Sequence, residues 1–250
     1  MKKILEIITS AIPIIIFIIT WELLSLLEIV PSFLFPPFSR VIMKFIMITT
    51  TGELVYHFCR SLFRVLIGFS LGATMGILVG ILMGYNKLVE KTLGPILYLL
   101  YPIPTLGWLP LLLIWIGINE LLPITLIFIC SFFPLLYNTM AGVKLVDKQL
   151  IKVAKTLGAS NFQILVEIVV PIAIPNIFTG LRLEAGMAWR TVLAAEMIAI
   201  PVGLGALAMK AQSLLLVDVI IDVLITLSVV CLLFEKIFEI LEQKLTRMWI

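Results

Sequence analysis

The sequence predicts an all-α integral membrane protein, and two observations support that prediction. Apolar residues make up 62% of the 250 residues and charged residues only 13%, about half the charged share of an average soluble domain. Apolar runs of about 20 residues, the length that a helix needs to cross a hydrocarbon core of about 30 Å, recur along the whole chain. We therefore expect one transmembrane domain over residues 1–250 and no separate soluble domain.

The hydropathy pattern predicts six transmembrane helices. Their expected positions are 8–28, 58–84, 92–117, 121–143, 171–197 and 217–238. The first apolar run continues through Trp21 without a small-residue cleavage site, which favours a retained, accessory helix over a secretory signal. A proline-rich stretch then leads into a short helix over 39–48, expected along the outer surface. The core of the domain is expected over about 58–238.

The distribution of lysine and arginine predicts the orientation, because cytoplasmic connections hold the excess of these residues. With the N-terminus inside, the inner set contains Lys2, Lys3, Lys87, Lys91, Lys144, Lys148, Lys152, Lys155, Lys236, Lys244 and Arg247. The outer loops contain only Arg40, Lys44 and Lys210. This asymmetry predicts a multi-pass protein of the cell membrane with both termini in the cytoplasm.

The second span carries a glycine at every fourth position. These glycines are Gly68, Gly72, Gly76, Gly80 and Gly84. Residues four apart share a helix face, so the missing side chains leave a groove into which another helix can pack closely. The spacing predicts tight helix packing, either within the chain or across a dimer.

The third span contains three prolines, Pro102, Pro104 and Pro110. Each proline removes a backbone donor, and non-helical backbone is tolerated at membrane depth only against protein or a water-filled cavity. We expect this span to be broken, with Pro104 and Trp108 as candidates for the lining of a pathway. A proline kink packed against neighbouring helices is the alternative for each proline.

The cytoplasmic loop of about 144–170 has the pattern of two short helices. An apolar face is predicted from Leu150, Val153, Ala154 and Leu157, which recur at helical spacing. Lys148, Lys152 and Lys155 fall on the other side. Gly158 is a natural helix stop, Ser160 and Gln163 have the spacing of a capping box, and Pro171 marks the entry to span five. The apolar face either receives a partner or rests on the protein's own bundle.

This loop resembles the EAA loop of permease subunits in ATP-binding-cassette importers. Gly158 matches the consensus glycine, Ala154 the second alanine and Pro171 the proline, whereas Lys152 replaces the glutamate and Val153 the first alanine. Other stretches are similar to the nitrate, sulfonate and taurine branch of these permeases, in collinear order over about 30–250. They include Ser61–Phe69, Leu109–Gly117, Gly180–Arg182 and Ala195–Met197.

The resemblance implies the MetI-like fold of a type I importer permease, with a cytoplasmic coupling helix. The residues it assigns to ATPase coupling are Leu150, Lys152, Val153, Ala154, Leu157 and Gly158. It also implies two ATPase subunits, a second and identical permease copy, an extracytoplasmic solute-binding protein, and a small anion such as a sulfonate, taurine or nitrate as cargo. No nucleic acid partner is expected. The chain contains no G-x-x-x-x-G-K-[ST] phosphate-binding motif, so ATP and magnesium are expected on the partner, and this chain is expected to be no enzyme.

Four ionisable residues lie within span five: Arg182, Glu184, Arg190 and Glu196. Charged groups at this depth are costly and tend to face a cavity or a partner. Arg182, Arg190 and Glu196 are therefore candidates for the pathway, with Arg190 as the contact for an anionic solute. Glu196 matches the family pattern and is expected near the outer gate. An ion pair between helices is the alternative role for Arg190.

Two other classes of function were weighed against a permease. An intramembrane enzyme would need a catalytic motif such as G-x-S-x-G or H-E-x-x-H, and neither occurs around Glu184 or His57. An energy-independent channel or secondary carrier is the remaining alternative. Such carriers often show two repeated halves, whereas the cytoplasmic loop pattern occurs once in this chain.

Overall fold

The computed structural model describes residues 2–246, with side chains described over 12–245. Arg247 lies outside the described residues, as do the side chains of Lys2 and Lys3. Every regular element in the described range is a helix. The α-helices are α1 Lys2–Leu26, α2 Phe38–Thr50, α3 Glu53–Tyr85, α4 Lys87–Leu100, α5 Leu109–Trp115, α6 Leu121–Lys144, α7 Lys148–Thr156, α8 Asn161–Ile164, α9 Val170–Ala199, α10 Leu204–Ser213 and α11 Val217–Thr246.

Within the described residues, four helical segments are long and apolar enough to cross a membrane. They are α3, α6, the continuous helix formed by α8 and α9, and α11. A bent pair, α4 with the segment Thr105–Trp115, raises the number to five, and α1 contributes a shorter apolar stretch over Ile12–Leu26. The prediction of an all-helical membrane fold is confirmed. The predicted number of six spans is not, because length and composition identify four or five in the described residues.

The third span is broken, as its prolines predict. Helix α4 and the segment that follows meet at an angle of 86°. Pro102 and Pro104 lie in the break between Leu100 and Thr105, where no helical hydrogen bond is lost. Pro110 lies in the first turn of α5, a position at which the missing amide donor is tolerated.

Pro171, which was predicted to mark the entry to span five, lies in the first turn of α9, and helical structure also precedes it. The helix begins at Asn161 and runs without interruption to Ala199, a length of 39 residues. Residues Leu165–Val169 form a π-helical turn just before the proline. Pro171 has no N–H to donate to the carbonyl group four residues earlier, and the wider turn accommodates that loss without ending the helix.

The groove of small residues on α3 packs against α6. A β-carbon added at Gly76 would lie 2.6 Å from the carbonyl oxygen of Phe132, and one added at Gly80 would lie 2.6 Å from that of Leu136. Equivalent atoms at Gly68, Gly72 and Gly84 would also lie within 2.8 Å of α6. The sequence left open whether this face packs within the chain or across a dimer, and here it packs within the chain.

Helix α9 occupies the centre of the bundle, where it contacts α3, α6, α10 and α11. Trp189 of α9 is completely buried, and its ring stacks on Phe58 of α3 with centroids 6.0 Å apart. Phe234 of α11 meets the same indole edge-on at 6.2 Å. This aromatic cluster joins three helices, so Trp189 is a packing residue.

Candidate functional site

At the predicted inner face, α7 is defined by short-range hydrogen bonds at both ends. The Asp147 carboxylate accepts a hydrogen bond from the backbone N–H of Gln149 at 2.8 Å and so caps the first turn. Gly158 follows the helix with φ +87°, a conformation that glycine adopts without strain. The N–H of Ala159 then donates to the carbonyl of Ala154 at 3.0 Å, the pattern of a Schellman stop.

Helix α8 begins at Asn161, two residues after Ala159, and it starts with the capping box predicted from the sequence. The Ser160 hydroxyl accepts from the backbone N–H of Gln163 at 3.2 Å, and the Gln163 side chain accepts from the N–H of Ser160 at 2.8 Å. The loop therefore forms a helix, a turn and a second helix, and the second helix continues directly into α9.

The apolar face of α7 is divided between the bundle and the exterior. Ala154 is buried in a cluster with Val146 and Ile164, and Ile151 packs beside it. Leu150 and Val153 are exposed, and Leu157 keeps 82% of its surface exposed. One side of α7 thus attaches it to the bundle, while the other presents three apolar side chains to the surroundings. Lys152 is also exposed.

A charged network occupies the opposite end of the bundle. The Arg64 guanidinium on α3 donates to both Glu120 oxygens, from Nε at 2.6 Å and from Nη2 at 2.9 Å. Its Nη1 donates to Glu196 on α9 at 2.6 Å. The Arg64 and Glu196 side chains are both fully buried, whereas Glu120 is 44% exposed. The hydrogen bonds from Arg64 hold the pKa of the Glu120 carboxyl below its ordinary value.

The turn before α10 completes this network. Glu196 accepts from the Ser61 hydroxyl and, at 3.0 Å, from the backbone N–H of Gly205. The His57 Nδ1 lies 2.9 Å from the carbonyl oxygen and 3.0 Å from the nitrogen of Gly203. A β-carbon at Gly203 would collide with the Glu196 carboxylate. Glu196 therefore anchors α3 and α10 to α9, and its carboxylate faces Arg64.

Arg190 and Arg182 lie together on the exposed side of α9. Both line a cavity of about 250 Å³ with Met187 and with Glu235 of α11. Arg182 Nη1 lies 3.7 Å from a Glu242 oxygen. Among the described residues Arg190 has no carboxylate within ion-pair distance, and its polar contact is the Met187 sulfur at 3.7 Å. The ion pair considered as an alternative role for Arg190 is not formed.

Glu184 is buried in the middle of α9, on another side from Arg190. Its Oε2 lies 3.7 Å from the Cys130 sulfur of α6, and that sulfur receives the Thr191 hydroxyl at 3.2 Å. The two groups link α6 to α9 within the core. In the described part of the chain, no three His, Cys, Asp or Glu side chains are grouped to hold a metal ion.

The broken span presents Pro104 on its surface and half-buries Trp108. Trp108 packs against a cluster that includes Leu109, Leu122 and Ala195. Its indole nitrogen has no hydrogen-bond partner among the described residues. The segment that contains Pro104 and Trp108 thus lies beside α6 and the C-terminal half of α9, apart from the cavity that contains Arg190.

Sequence reasoning missed the roles of Arg64 and Glu120. A signal for Arg64 was present, because His57, Ser61 and Arg64 recur at i, i+4 and i+7 and place three polar groups on one face of an apolar span. Glu120 gave no such signal. It lies in a connection 56 positions from Arg64, and only the packing of α3 against α6 brings the two together.

Comparison with known proteins gives consistent matches over most of the chain. Residues 72–247 match the family described as "Binding-protein-dependent transport system inner membrane component". The chain is 33% identical over 231 residues to the taurine transport system permease protein of Escherichia coli K12, covering 90% of this chain and 84% of that protein. It is 35% identical over 183 residues to the nitrate import permease protein of Synechocystis, covering 73% and 66%. A Methanocaldococcus jannaschii protein, named provisionally as an ABC transporter permease, is 39% identical over 238 residues, covering 91% and 86%.

Two solved structures share the fold. An amino acid ABC transporter with histidines superposes with a TM-score of 0.63 at 20% identity, covering 79% of this chain and 96% of that one. The MetNI methionine ABC transporter in an inward-facing conformation gives a TM-score of 0.55 at 16% identity, covering 74% and 94%. At these identities the likeness concerns the fold alone.

Proposed function

Because this chain belongs to the family of binding-protein-dependent transport system inner membrane components, we propose that it forms one half of a membrane pathway for a small anion. It is the permease subunit of an ATP-binding-cassette importer, and the alternative of an energy-independent channel or carrier is thereby set aside. Relatives named for taurine, aliphatic sulfonates and nitrate support an anionic cargo. A solute-binding protein outside the membrane would deliver it.

The proposed arrangement is a single domain with six membrane crossings and both termini in the cytoplasm. α1 would be an accessory first crossing, and the bent pair of α4 and α5 would form the third. The excess of lysine near α7 supports placing that helix on the cytoplasmic side. ATP and magnesium would bind to two partner ATPase subunits.

In this proposal α7 is the coupling helix. The observation that carries it is the exposed apolar face of Leu150, Val153 and Leu157 on a helix whose opposite edge is packed on the bundle. A helix held this way can transmit a push from a partner to α9, because the chain continues from α7 through α8 into α9 with one tight turn. Burying three apolar side chains would contribute several kcal/mol to docking.

Docking can be tested with charges placed on that face. We expect Val153→Asp with Leu157→Asp to abolish co-purification of the ATPase and solute uptake, because a buried unpaired carboxylate opposes association. Membrane insertion and the yield of folded permease should be unchanged, since both side chains are exposed. Gln149→Asp with Thr156→Asp is the matched control, because it adds the same charge to α7 away from the apolar face. An ATPase that still co-purifies with the first variant would contradict docking on this face.

The second permease copy is proposed to cover the exposed side of α9. One stripe of this central helix is exposed and has no helix of the described residues packed on it; it consists of Leu183, Met187 and Arg190. An arginine facing lipid near mid-membrane costs about 3 kcal/mol or more, which favours protein or water in front of this stripe. Two identical copies that meet here would enclose a pathway with an Arg190 from each.

Arg190 is then the proposed contact for the anion. We expect Arg190→Gln to reduce uptake at least tenfold and Arg190→Lys to restore part of it, because the positive charge is the feature that an anion requires. Uptake of labelled taurine, an alkanesulfonate and nitrate into proteoliposomes measures this effect and identifies the cargo. Arg182→Gln is the control from the same cavity, nearer the cytoplasmic end. Unchanged uptake by Arg190→Gln would exclude this contact.

A further inference from the structure

A second, larger cavity lies beneath α7, between that helix and the ends of α3, α4 and α6. Its volume is about 660 Å³. The polar side chains in its wall are Tyr85, Lys87, Glu90, Lys144, Lys148, Lys155 and Asn161. Neither ATPase docking nor solute transfer, as proposed above, uses this cavity.

The cavity carries a surplus of positive charge. Lys144 Nζ lies 2.5 Å from Glu90 Oε1, and the Tyr98 hydroxyl donates to the same oxygen at 3.2 Å. That carboxylate is therefore already occupied. Within the described part of the chain, Lys87, Lys148 and Lys155 form no ion pair. Lys87, Lys148 and Lys155 line one space whose acidic residue, Glu90, is already paired with Lys144, so an anion would relieve their mutual repulsion.

Helical geometry separates this cavity from the docking face of α7. Lys148 and Lys155 are seven residues apart and so lie on the same side of the helix. Leu157 lies about 180° from Lys148 around the helix axis, at about 100° per residue. An anion in the cavity and an ATPase on the apolar face can therefore occupy α7 at the same time.

Two exposed leucines indicate the source of the anion. Leu88 follows Lys87 and Leu145 follows Lys144, and both leucines keep 71% of their surface exposed. Helices α3 and α6, both long and apolar enough to cross a membrane, end at Tyr85 and Lys144. These apolar side chains therefore lie beside the ends of the proposed membrane crossings. Basic pockets between transmembrane helices on the cytoplasmic side are suited to lipid phosphate groups.

We propose that this cavity binds the phosphate headgroup of an anionic lipid from the cytoplasmic leaflet. The inference rests on the cytoplasmic placement of α7 proposed above and goes beyond it. The headgroup would bridge Lys148 and Lys155 of α7 to Lys87 of α4 and so hold the coupling helix against the bundle. Anionic lipid would then stabilise the position of α7.

Retention of lipid by the assembled transporter tests the proposal. The complex is purified, delipidated, incubated with phosphatidylglycerol or phosphatidylcholine, and examined by native mass spectrometry. We expect wild-type complexes to retain phosphatidylglycerol selectively, and the triple variant Lys87→Gln, Lys148→Gln, Lys155→Gln to lose about a hundredfold in affinity. The matched control is Lys91→Gln, Lys236→Gln, Lys244→Gln, which removes the same charge from the same side of the protein, outside both the cavity and α7.

Several outcomes would overturn the proposal. If wild-type complexes show no preference for phosphatidylglycerol over phosphatidylcholine, the proposal is refuted, and this holds even if the triple variant fails to fold. Equal loss of lipid in the triple variant and in its control would also refute it. Inorganic phosphate at millimolar concentration provides the second arm. Displacement of lipid by phosphate, together with equal thermal stabilisation by phosphate alone, would identify a free phosphate as the ligand instead.

Uptake by the same wild-type complexes separates this inference from the proposed function. Transport without selective lipid retention would refute the lipid site and leave the permease mechanism intact. Selective lipid retention by a permease that neither associates with an ATPase nor supports uptake would keep the lipid site and refute the permease mechanism.

Discussion

At the end of the bundle that contains α7, hydrogen bonds between residues a few positions apart define that helix, whereas at the opposite end Arg64 joins distant parts of the chain. Asp147, Gly158 and the Ser160 capping box each act within five residues of sequence. The contacts of Arg64 with Glu120 and Glu196 span 56 and 132 positions. The difference indicates that the exposed face of α7 can change with little effect on the bundle, while the end that contains Arg64 cannot lose one charge without consequence.

The largest effect is expected from Arg64→Met. Removing the guanidinium leaves Glu196 buried without a counterion, which costs about 3–5 kcal/mol. A large loss of thermal stability in detergent, and a reduced yield of folded protein, would be the measured result. Arg60→Met is the matched control, because Arg60 contacts the same Glu120 but is 41% exposed, where an ion pair contributes about 0–1 kcal/mol.

A double-mutant cycle sharpens this prediction. Arg64→Met combined with Glu196→Gln should be less destabilised than the sum of the single changes, because the second substitution removes the orphaned charge. Additive effects would show that the two side chains do not interact, contrary to the 2.6 Å contact.

A smaller effect is expected in the middle of the bundle. Gly76→Ala would push a methyl group against the Phe132 carbonyl of α6 and cost about 1–3 kcal/mol. Thermal unfolding in detergent measures the loss. Gly107→Ala serves as the control, because its added β-carbon would make ordinary contact with Ile103, at 3.8 Å. Equal stability of the two variants would contradict the close approach of α3 and α6.

The smallest effect on stability is expected beside α7, from Gly158→Ala. A residue other than glycine at φ +87° costs about 1 kcal/mol, and the cost falls on the turn after α7. We expect a shift of a few degrees or less in thermal unfolding together with weaker ATPase co-purification. Gly158→Asn should behave more like the wild type, because asparagine tolerates this conformation better than alanine. A global loss of stability as large as that of Arg64→Met would erase the contrast between the two ends.

How much of the fold was predictable depends on how far apart the interacting residues lie. The apolar runs, the proline break and the caps of α7 and α8 are local patterns, and the structure contains each of them. Pro171 was predicted to mark the entry to span five, and it lies in the first turn of α9. The sequence did not indicate that the helix beginning at Asn161 runs into α9 without a break, through the π turn at Leu165–Val169. The glycine spacing predicted a groove but could not identify α6 as its partner.

By itself the sequence determined which segments can lie in a membrane, where the chain turns, and that one short amphipathic helix lies between two spans, because these depend on hydrophobicity and short-range hydrogen bonding. Tertiary structure alone decided that Arg64 pairs with Glu196 and Glu120, that Arg190 has no carboxylate partner among the described residues, and that three lysines line a cavity beneath α7. Charges become paired or remain unpaired according to which helices pack together, and that packing is a property of the whole bundle rather than of any one segment.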